Sequence, residues 1–241
     1  MKLLDVLSYY PEPVSLKLLA QETGLHPSTA HRILSSMAAS GFVERGEPGA
    51  YGLGIRLLTL GNLVKSRINI RETALPLMQR LHQQTGESVN LGIRQDDEIV
   101  YVERTSSGRS AVRIVHIVGA RAPLHNTATG KLFLANDGPA ATREYARRTG
   151  LSGITPNSIT ELGALEKELD RVRRHGVAYD IDEIEIGVRC IAAGIRDDSG
   201  DMVAGLSLSS PSDRFNQEWT PLVKQTADEI SSLLGYRQPK K

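Results

Sequence analysis

At 241 residues, with 40% hydrophobic and 24% charged side chains, the chain has the composition of an ordinary soluble globular protein with room for one small and one larger domain. It has no run of about 18 apolar residues, which excludes a membrane-spanning helix, and its single cysteine, Cys190, excludes an intrachain disulfide and a cysteine-based metal cluster. A formal net charge of +1 excludes bulk positive charge as the means of holding nucleic acid.

The first residues, Met1-Lys2-Leu3-Leu4-Asp5-Val6-Leu7, carry an apolar helical pattern interrupted by Asp5 and lack a signal-peptide core and cleavage site, so a cytoplasmic location is expected. Ser15 is a good N-cap, and Leu16, Leu19, Ala20 and Leu25 give the helix behind it an apolar face. Gly24 breaks that helix, because glycine takes positive φ without steric cost. Pro27 suits the first position of a second helix, running from 27 to about 40 and closing at Gly41. A small residue at Ala20, a turn glycine at Gly24 and inward apolar residues at Ala30 and Ile33 have helix-turn-helix spacing.

The opposite face of the second helix shows Ser28, Thr29, His31, Arg32, Ser35 and Ser36. Hydroxyls and free N–H groups at a helix start grip phosphate, and arginine reads guanine edges bidentately. A helix of this length is about 20 Å long, which a groove of DNA accommodates. Strands at 42–45 and 50–53 around Gly46-Glu47-Pro48-Gly49 then read as a hairpin wing, with Phe42 or Val43 and Tyr51 or Leu53 packing under the helices. The expected DNA-contacting set is Ser15, Pro27, Ser28, Thr29, His31, Arg32, Ser35, Ser36, Arg45 and Tyr51, with Arg45 as the wing's strong phosphate contact. In this region Lys2, Lys17, Arg32, Arg45, Arg56 and Lys65 nearly balance Asp5, Glu12, Glu22, Glu44 and Glu47. Affinity must then come from helix dipoles, a few placed arginines, and two copies on a symmetric duplex site.

Ile55, Leu57, Leu58, Leu60, Val64 and Ile68 form an apolar stripe at helical spacing, predicting an amphipathic helix from 54 to about 66 that pairs with a second copy or packs on its own wing. Beyond it the pattern changes. A helix ending at Gly86 leads to strands around Val89, Leu91 and Ile93, over 99–104 and over 111–118, then a loop from Gly119 to Leu124. Helices follow near 127–135, 140–149 and 160–175, then strands at 177–181, 190–196 and 202–209, and a closing helix over 216–234. Hairpins and long connections around one antiparallel sheet give an α+β domain of sensor type.

Ser28-Thr29-Ala30-His31-Arg32-Ile33-Leu34, Gly41-Phe42-Val43 and Tyr51-Gly52-Leu53-Gly54 are followed by Pro123-Leu124-His125-Asn126-Thr127-Ala128 with Gly130-Lys131, Gly176-Val177-Ala178-Tyr179-Asp180, and Gly187-Val188-Arg189-Cys190-Ile191-Ala192-Ala193. In this order and spacing the chain resembles the IclR family of bacterial transcriptional regulators over essentially its whole length. The resemblance implies a winged helix-turn-helix at 1–53, a linker helix at 54–68 and a GAF-like or profilin-like effector domain at 69–241. It also implies assembly as dimers or as tetramers of two dimers, acting on double-stranded DNA with a palindromic operator. Many relatives carry a polar arm and a fuller first helix before the position of Met1, whereas here the first helix begins almost at the first residue.

The resemblance further implies an effector pocket in which Gly119 and Ala120 form one wall and offer backbone N–H donors, with Asp180, Cys190, Ser207 and Ser209 projecting from strands. Ser207 and Ser209 are two apart on a strand and so share a face, where paired hydroxyls suit a small organic acid or serve as satisfied core hydroxyls. Asp180 binds a ligand hydroxyl, orients a water or stays protonated. Cys190 reads as a small buried hydrophobe. His116, His125 and His175 lack metal-ligand spacing, the acids from Asp180 to Glu185 read as a solvated loop or an interface, and Arg109, Arg113 and Arg121 as an anion-attracting mouth or plain surface charge. No cofactor is expected. The function expected is a ligand-responsive DNA-binding regulator, a repressor before an activator. The competing classes are an enzyme using Cys190 and a winged-helix module that docks proteins.

Overall fold

The computed structural model describes residues 2–46, 49–65, 69–106 and 118–237. They form two compact units, Met1–Ile68 and Asn69–Lys241. Most of the strand expected at 111–118, His116, Arg109, Arg113 and the side chains of Val64 and Ile68 lie outside the described residues.

The first unit runs α1 (Lys2–Leu7), β1 (Val14–Ser15), α2 (Leu16–Thr23), α3 (Pro27–Ala39), β2 (Val43–Gly46), β3 (Ala50–Leu53) and α4 (Arg56–Lys65). Ser15 Oγ accepts the N–H of Leu18 at 3.3 Å, and Gly24 at φ 70° ends α2 with Leu25 N–H on Ala20 O at 3.0 Å. Pro27 opens α3 behind His26, whose Nδ1 accepts the N–H of Ser28. Leu3, Leu7, Leu19, Ala20, Ala30, Leu34, Val43 and Tyr51 form the core. The wing holds a strand the sequence pattern did not show: β1 pairs with β3, Val14 opposite Tyr51, in the order β1-β3-β2. Two residues are too few to show an alternation.

The second unit has one antiparallel sheet in the order β6-β5-β4-β9-β8-β7. Its strands are β4 (Ser88–Gln95), β5 (Glu98–Thr105), β6 (Arg121–Pro123), β7 (Val177–Ile181), β8 (Val188–Arg196) and β9 (Met202–Pro211). β6 corrects the expected loop from Gly119 to Leu124, since Arg121–Pro123 extends the sheet beside β5. α5 (Ile70–Thr85) and α9 (Thr220–Leu233) bury one face against Val89, Leu91, Ile191, Leu206 and Leu208. α6 (Ala128–Asp137), α7 (Pro139–Thr149) and α8 (Leu162–His175) cover the other, which carries Tyr101, Ala178, Cys190 and Ala192. The closing helix starts later than its pattern suggests, because Asn216 caps a short 3-10 turn, Gln217–Trp219, ahead of α9.

α6 approaches the sheet where it has no side chains. A Cβ on Gly205 would stand 2.6 Å from Thr129 Cγ2, and one on Gly130 2.2 Å from Leu124 O. α6 also supplies Lys131, fully buried, whose Nζ meets Glu183 Oε1 at 2.5 Å and Tyr179 O at 2.9 Å, while the N–H of Ile181 donates to the same Glu183 oxygen at 3.3 Å. One buried ion pair thus occupies an acceptor and a donor along the outer edge of β7, where a further strand would bond.

Candidate DNA-reading surface and effector face

In the first unit, Pro27, Ser28, His31, Arg32 and Ser36 are exposed on α3 and Thr29 and Ser35 are half-buried, so the inward turn of Ala30 and Leu34 leaves the expected polar face outside. Arg45 on β2 donates from Nη2 to Ser35 Oγ at 2.7 Å, which ties the wing arginine to the recognition helix. Ser15 is exposed with its hydroxyl engaged as a cap. Tyr51 is a correction: at 4% exposure its ring belongs to the core, and its place on the inner face of the wing removes it from the DNA-contacting set.

The start of α4 is fastened to the end of α3. Gly54 N–H donates to Phe42 O at 2.9 Å, a Cβ on Gly54 would stand 2.2 Å from Gly41 O, and the Arg56 guanidinium donates to Ser40 O at 2.9 Å while lying 4.9 Å from the centre of the Phe42 ring. Beyond this joint Ile55, Leu58 and Leu60 are exposed at 73%, 58% and 40%.

In the second unit, register assembles what the sequence scatters. Ser88, Ser209, Cys190 and Asp180 stand in one row across β4, β9, β8 and β7, and Arg104, Asn90, Ser207, Ala192 and Ala178 in the next. Cys190, Ser209, Ser207 and Asp180, four of the expected pocket residues, therefore share a face. Asn90 Nδ2 donates to Ser209 Oγ at 3.1 Å, and Ser209 Oγ lies 3.1 Å from Cys190 Sγ. Sequence reasoning missed Asn90, Ser88 and Arg104. The signal available was the alternation of Ser88 and Asn90 with Val89 and Leu91 on one strand.

Burial lifts the Asp180 carboxyl from 3.8 to about 7, opposed by the N–H of Glu183 and reinforced by that residue's charge. Burial, then the charge of Asp180, pushes the Cys190 thiol up, away from the thiolate a nucleophile requires. Burial also lowers Arg104 from its ordinary value. One expected donor is corrected: the N–H of Gly119 is spent on Tyr101 O at 2.7 Å, and Ala120 O accepts the N–H of Tyr101 at 3.0 Å, because this turn continues the β5–β6 pairing.

The acids after β7 are corrected as well. Asp182 and Glu183 are buried, the first holding Arg189 at 3.0 Å and the second Lys131, which removes the solvated-loop alternative for these two and leaves the interface alternative open. His125 is buried with Nδ1 2.6 Å from Tyr145 Oη, and burial lowers its pKa. Arg121 pairs with Glu98 at 2.6 Å on the surface. Among the described residues no cluster of His, Cys, Asp and Glu is placed to hold a metal. A cavity of about 780 Å³ beside β7 is lined by Lys131, Glu168, Arg171, His175, Glu183 and Lys224, with Lys131 paired to Glu183 and Arg171 to Glu168.

Two family models match the chain: the IclR helix-turn-helix domain over residues 1–47, and the bacterial transcriptional regulator IclR C-terminal domain over 63–232. The DNA-binding transcriptional repressor YiaJ of Escherichia coli is 31% identical over 97% of this chain and 86% of its own length. The solved Agobacterium tumefaciens repressor BlcR is 29% identical with a TM-score of 0.86, covering 98% of this chain and 95% of that one. An IclR homologue from Microbacterium hydrocarbonoxydans, solved in complex with 4-hydroxybenzoate, is 28% identical with a TM-score of 0.64, covering 97% of each chain.

Proposed function

Because the chain belongs to the IclR family of bacterial transcriptional regulators, we propose that it is a repressor whose two recognition helices, α3 from each of two copies, enter successive major grooves of a palindromic operator. The observation that carries this is the exposed polar face of α3, with Arg32 at its centre and Arg45 held beside it by Ser35. A near-neutral chain needs such placed contacts and a symmetric pair of them.

The exposure of Ile55, Leu58 and Leu60 around the start of α4 supports pairing of two copies through this segment. The Gly41–Gly54 joint gives the pairing a mechanical meaning: α4 cannot turn without carrying the end of α3, so the separation of two α4 helices sets the separation of two reading heads. A small organic acid on the polar sheet face, beside Ser207, Ser209, Cys190 and Asp180, shifts the equilibrium between two such separations only by its differential affinity for them.

The test is a gel-shift series of the full chain against DNA from upstream of its own gene, with random duplex as competitor, at two salt concentrations and with organic acids added. Specific, salt-dependent binding that an acid loosens is expected. A chain that prefers no duplex over random competitor refutes the proposal.

A further inference from the structure

The cavity beside β7 lies away from the effector face. Val177, Tyr179 and Ile181, which line it, alternate along the strand with Ala178 and Asp180, so their side chains stand on the side of the sheet opposite Asp180. Its other walls are α8, through Glu168, Arg171 and His175 on one helix face, and the first turns of α9, through Thr220, Pro221 and Lys224. At about 780 Å³ it has the volume of a small-molecule site.

Three of its charged groups hold unused capacity. Lys224, exposed, forms no ion pair among the described residues: its Nζ reaches only His175 O, at 3.5 Å, and Asp228, a turn further along α9, does not line the cavity. Arg171 gives Nε and Nη2 to Glu168 at 2.9 and 2.6 Å and lies 4.9 Å from the centre of the Tyr179 ring, with Nη1 unbonded. Glu183 is 5% exposed, and while its Oε1 takes Lys131 and the N–H of Ile181, its Oε2 has no partner. A buried acceptor left this way is costly, and a donor brought to it recovers that cost. Lys131, Arg171 and Lys224 against Glu168 and Glu183 leave the walls with one excess positive charge while His175 is neutral. The unpaired cation and the unpaired acceptor stand at opposite ends of β7: a Cβ on Gly176 would lie 3.5 Å from Lys224 Nζ, Glu183 bonds at Ile181, and the strand between them runs about 17 Å.

We infer that this cavity is a second ligand site, for an elongated monocarboxylate with an apolar body and a terminal hydroxyl: Lys224 and the Nη1 of Arg171 take the carboxylate, the body lies along Val177, Tyr179 and Ile181, and the hydroxyl donates to Glu183 Oε2. Ammonium and guanidinium donors give a carboxylate charge-assisted bonds. A single ligand charge matches the one the walls leave unbalanced, and a dianion exceeds it.

The test titrates the full chain, without DNA, by calorimetry with 6-hydroxyhexanoate, 8-hydroxyoctanoate and 10-hydroxydecanoate, each beside its amide and its ω-methoxy analogue. The best hydroxy acid is expected to bind at least about tenfold more tightly than its amide. It should also bind about fivefold more tightly than the methoxy acid, which keeps the oxygen and cannot donate. Lys224→Gln, at an exposed position, should erase the acid-to-amide ratio, and Lys224→Arg should keep much of it. Circular dichroism melting reports whether each variant folds, and if Lys224→Gln does not, Arg171→Gln, expected to weaken the acid severalfold, decides. A series in which no acid binds, amides or methoxy acids that bind as well as the hydroxy acids, or a ratio untouched by Lys224→Gln overturns the inference. With no DNA present, such a failure leaves the regulator reading standing, and absence of any duplex preference in the gel shift leaves this site standing.

Discussion

The two units solve the placement of polar groups in opposite ways. On α3 the groups expected to touch DNA lie close together in sequence and are exposed or half-buried, and the fold has only to turn Ala30 and Leu34 inward for them to face out. On the sheet of the second unit Ser88, Asn90, Asp180, Cys190, Ser207 and Ser209 are buried and come from four strands, so no one of them has meaning until register sets them side by side. A surface that meets a large, wet, charged partner tolerates exposed groups whose contacts form only on binding. A site for a small molecule must instead hold its polar groups dry and oriented beforehand, and their stability consequences are larger for it.

If that contrast is right, damage inside the second unit should cost folding, and damage on the first should cost DNA binding. The largest effect is expected for Lys131→Ala, which leaves the buried Glu183 carboxylate uncompensated: a loss of about 3–5 kcal/mol in urea unfolding, much of it recovered in the double variant Lys131→Met with Glu183→Gln. A loss below about 1 kcal/mol would mean that the pair behaves as a solvated surface bridge.

Next is Asp180→Asn. The wild-type carboxyl stays protonated in the folded chain up to about pH 7 but ionises near 3.8 when unfolded, so the folded state binds more protons between those values and its stability falls as pH rises through that window. Asparagine can still accept from Glu183 N–H and cannot ionise. Relative to the variant, the wild type should lose up to about 4 kcal/mol between pH 4 and pH 8, measured by denaturation at each pH, and parallel profiles for the two proteins would contradict the buried-acid assignment.

On the first unit, Arg32→Ala should weaken specific over random duplex binding by about 1–3 kcal/mol with little change in melting temperature. Retained operator preference would remove Arg32 from base reading. The smallest effect is expected for Ser35→Ala, which frees Arg45 from its tether: about 0.5–1 kcal/mol of DNA affinity with the salt slope preserved, whereas Arg45→Ala should lower that slope by about one. Identical slopes in wild type and Arg45→Ala would place the wing away from phosphate.

The same contrast decides what could be read beforehand. Caps and breakers act within a few residues, so Ser15, Gly24 and Pro27 marked the helices of the first unit without any tertiary information. Tyr51 carried two expectations, packing and DNA contact, and only the pairing of β3 between β1 and β2 chose the first. In the second unit the alternation of Ser207 and Ser209 with Leu206 and Leu208 was legible along β9. That Asn90 is the neighbour of Ser207, and Arg104 of Asn90, depends on pairings over long sequence separations that no local pattern encodes. Gly119 failed for the same reason, since its N–H is claimed by Tyr101 of β5, and the segment after Gly119 that had read as loop pairs with that strand as β6.

The ion pair along β7 has one more implication. With Lys131 on the carbonyl of Tyr179 and Glu183 on the N–H of Ile181, that border is closed to ribbon extension by a neighbour. Copies of this unit that associate will not do so by adding a strand at β7, and a variant lacking the pair should be prone to stack into fibrils at concentrations the parent tolerates.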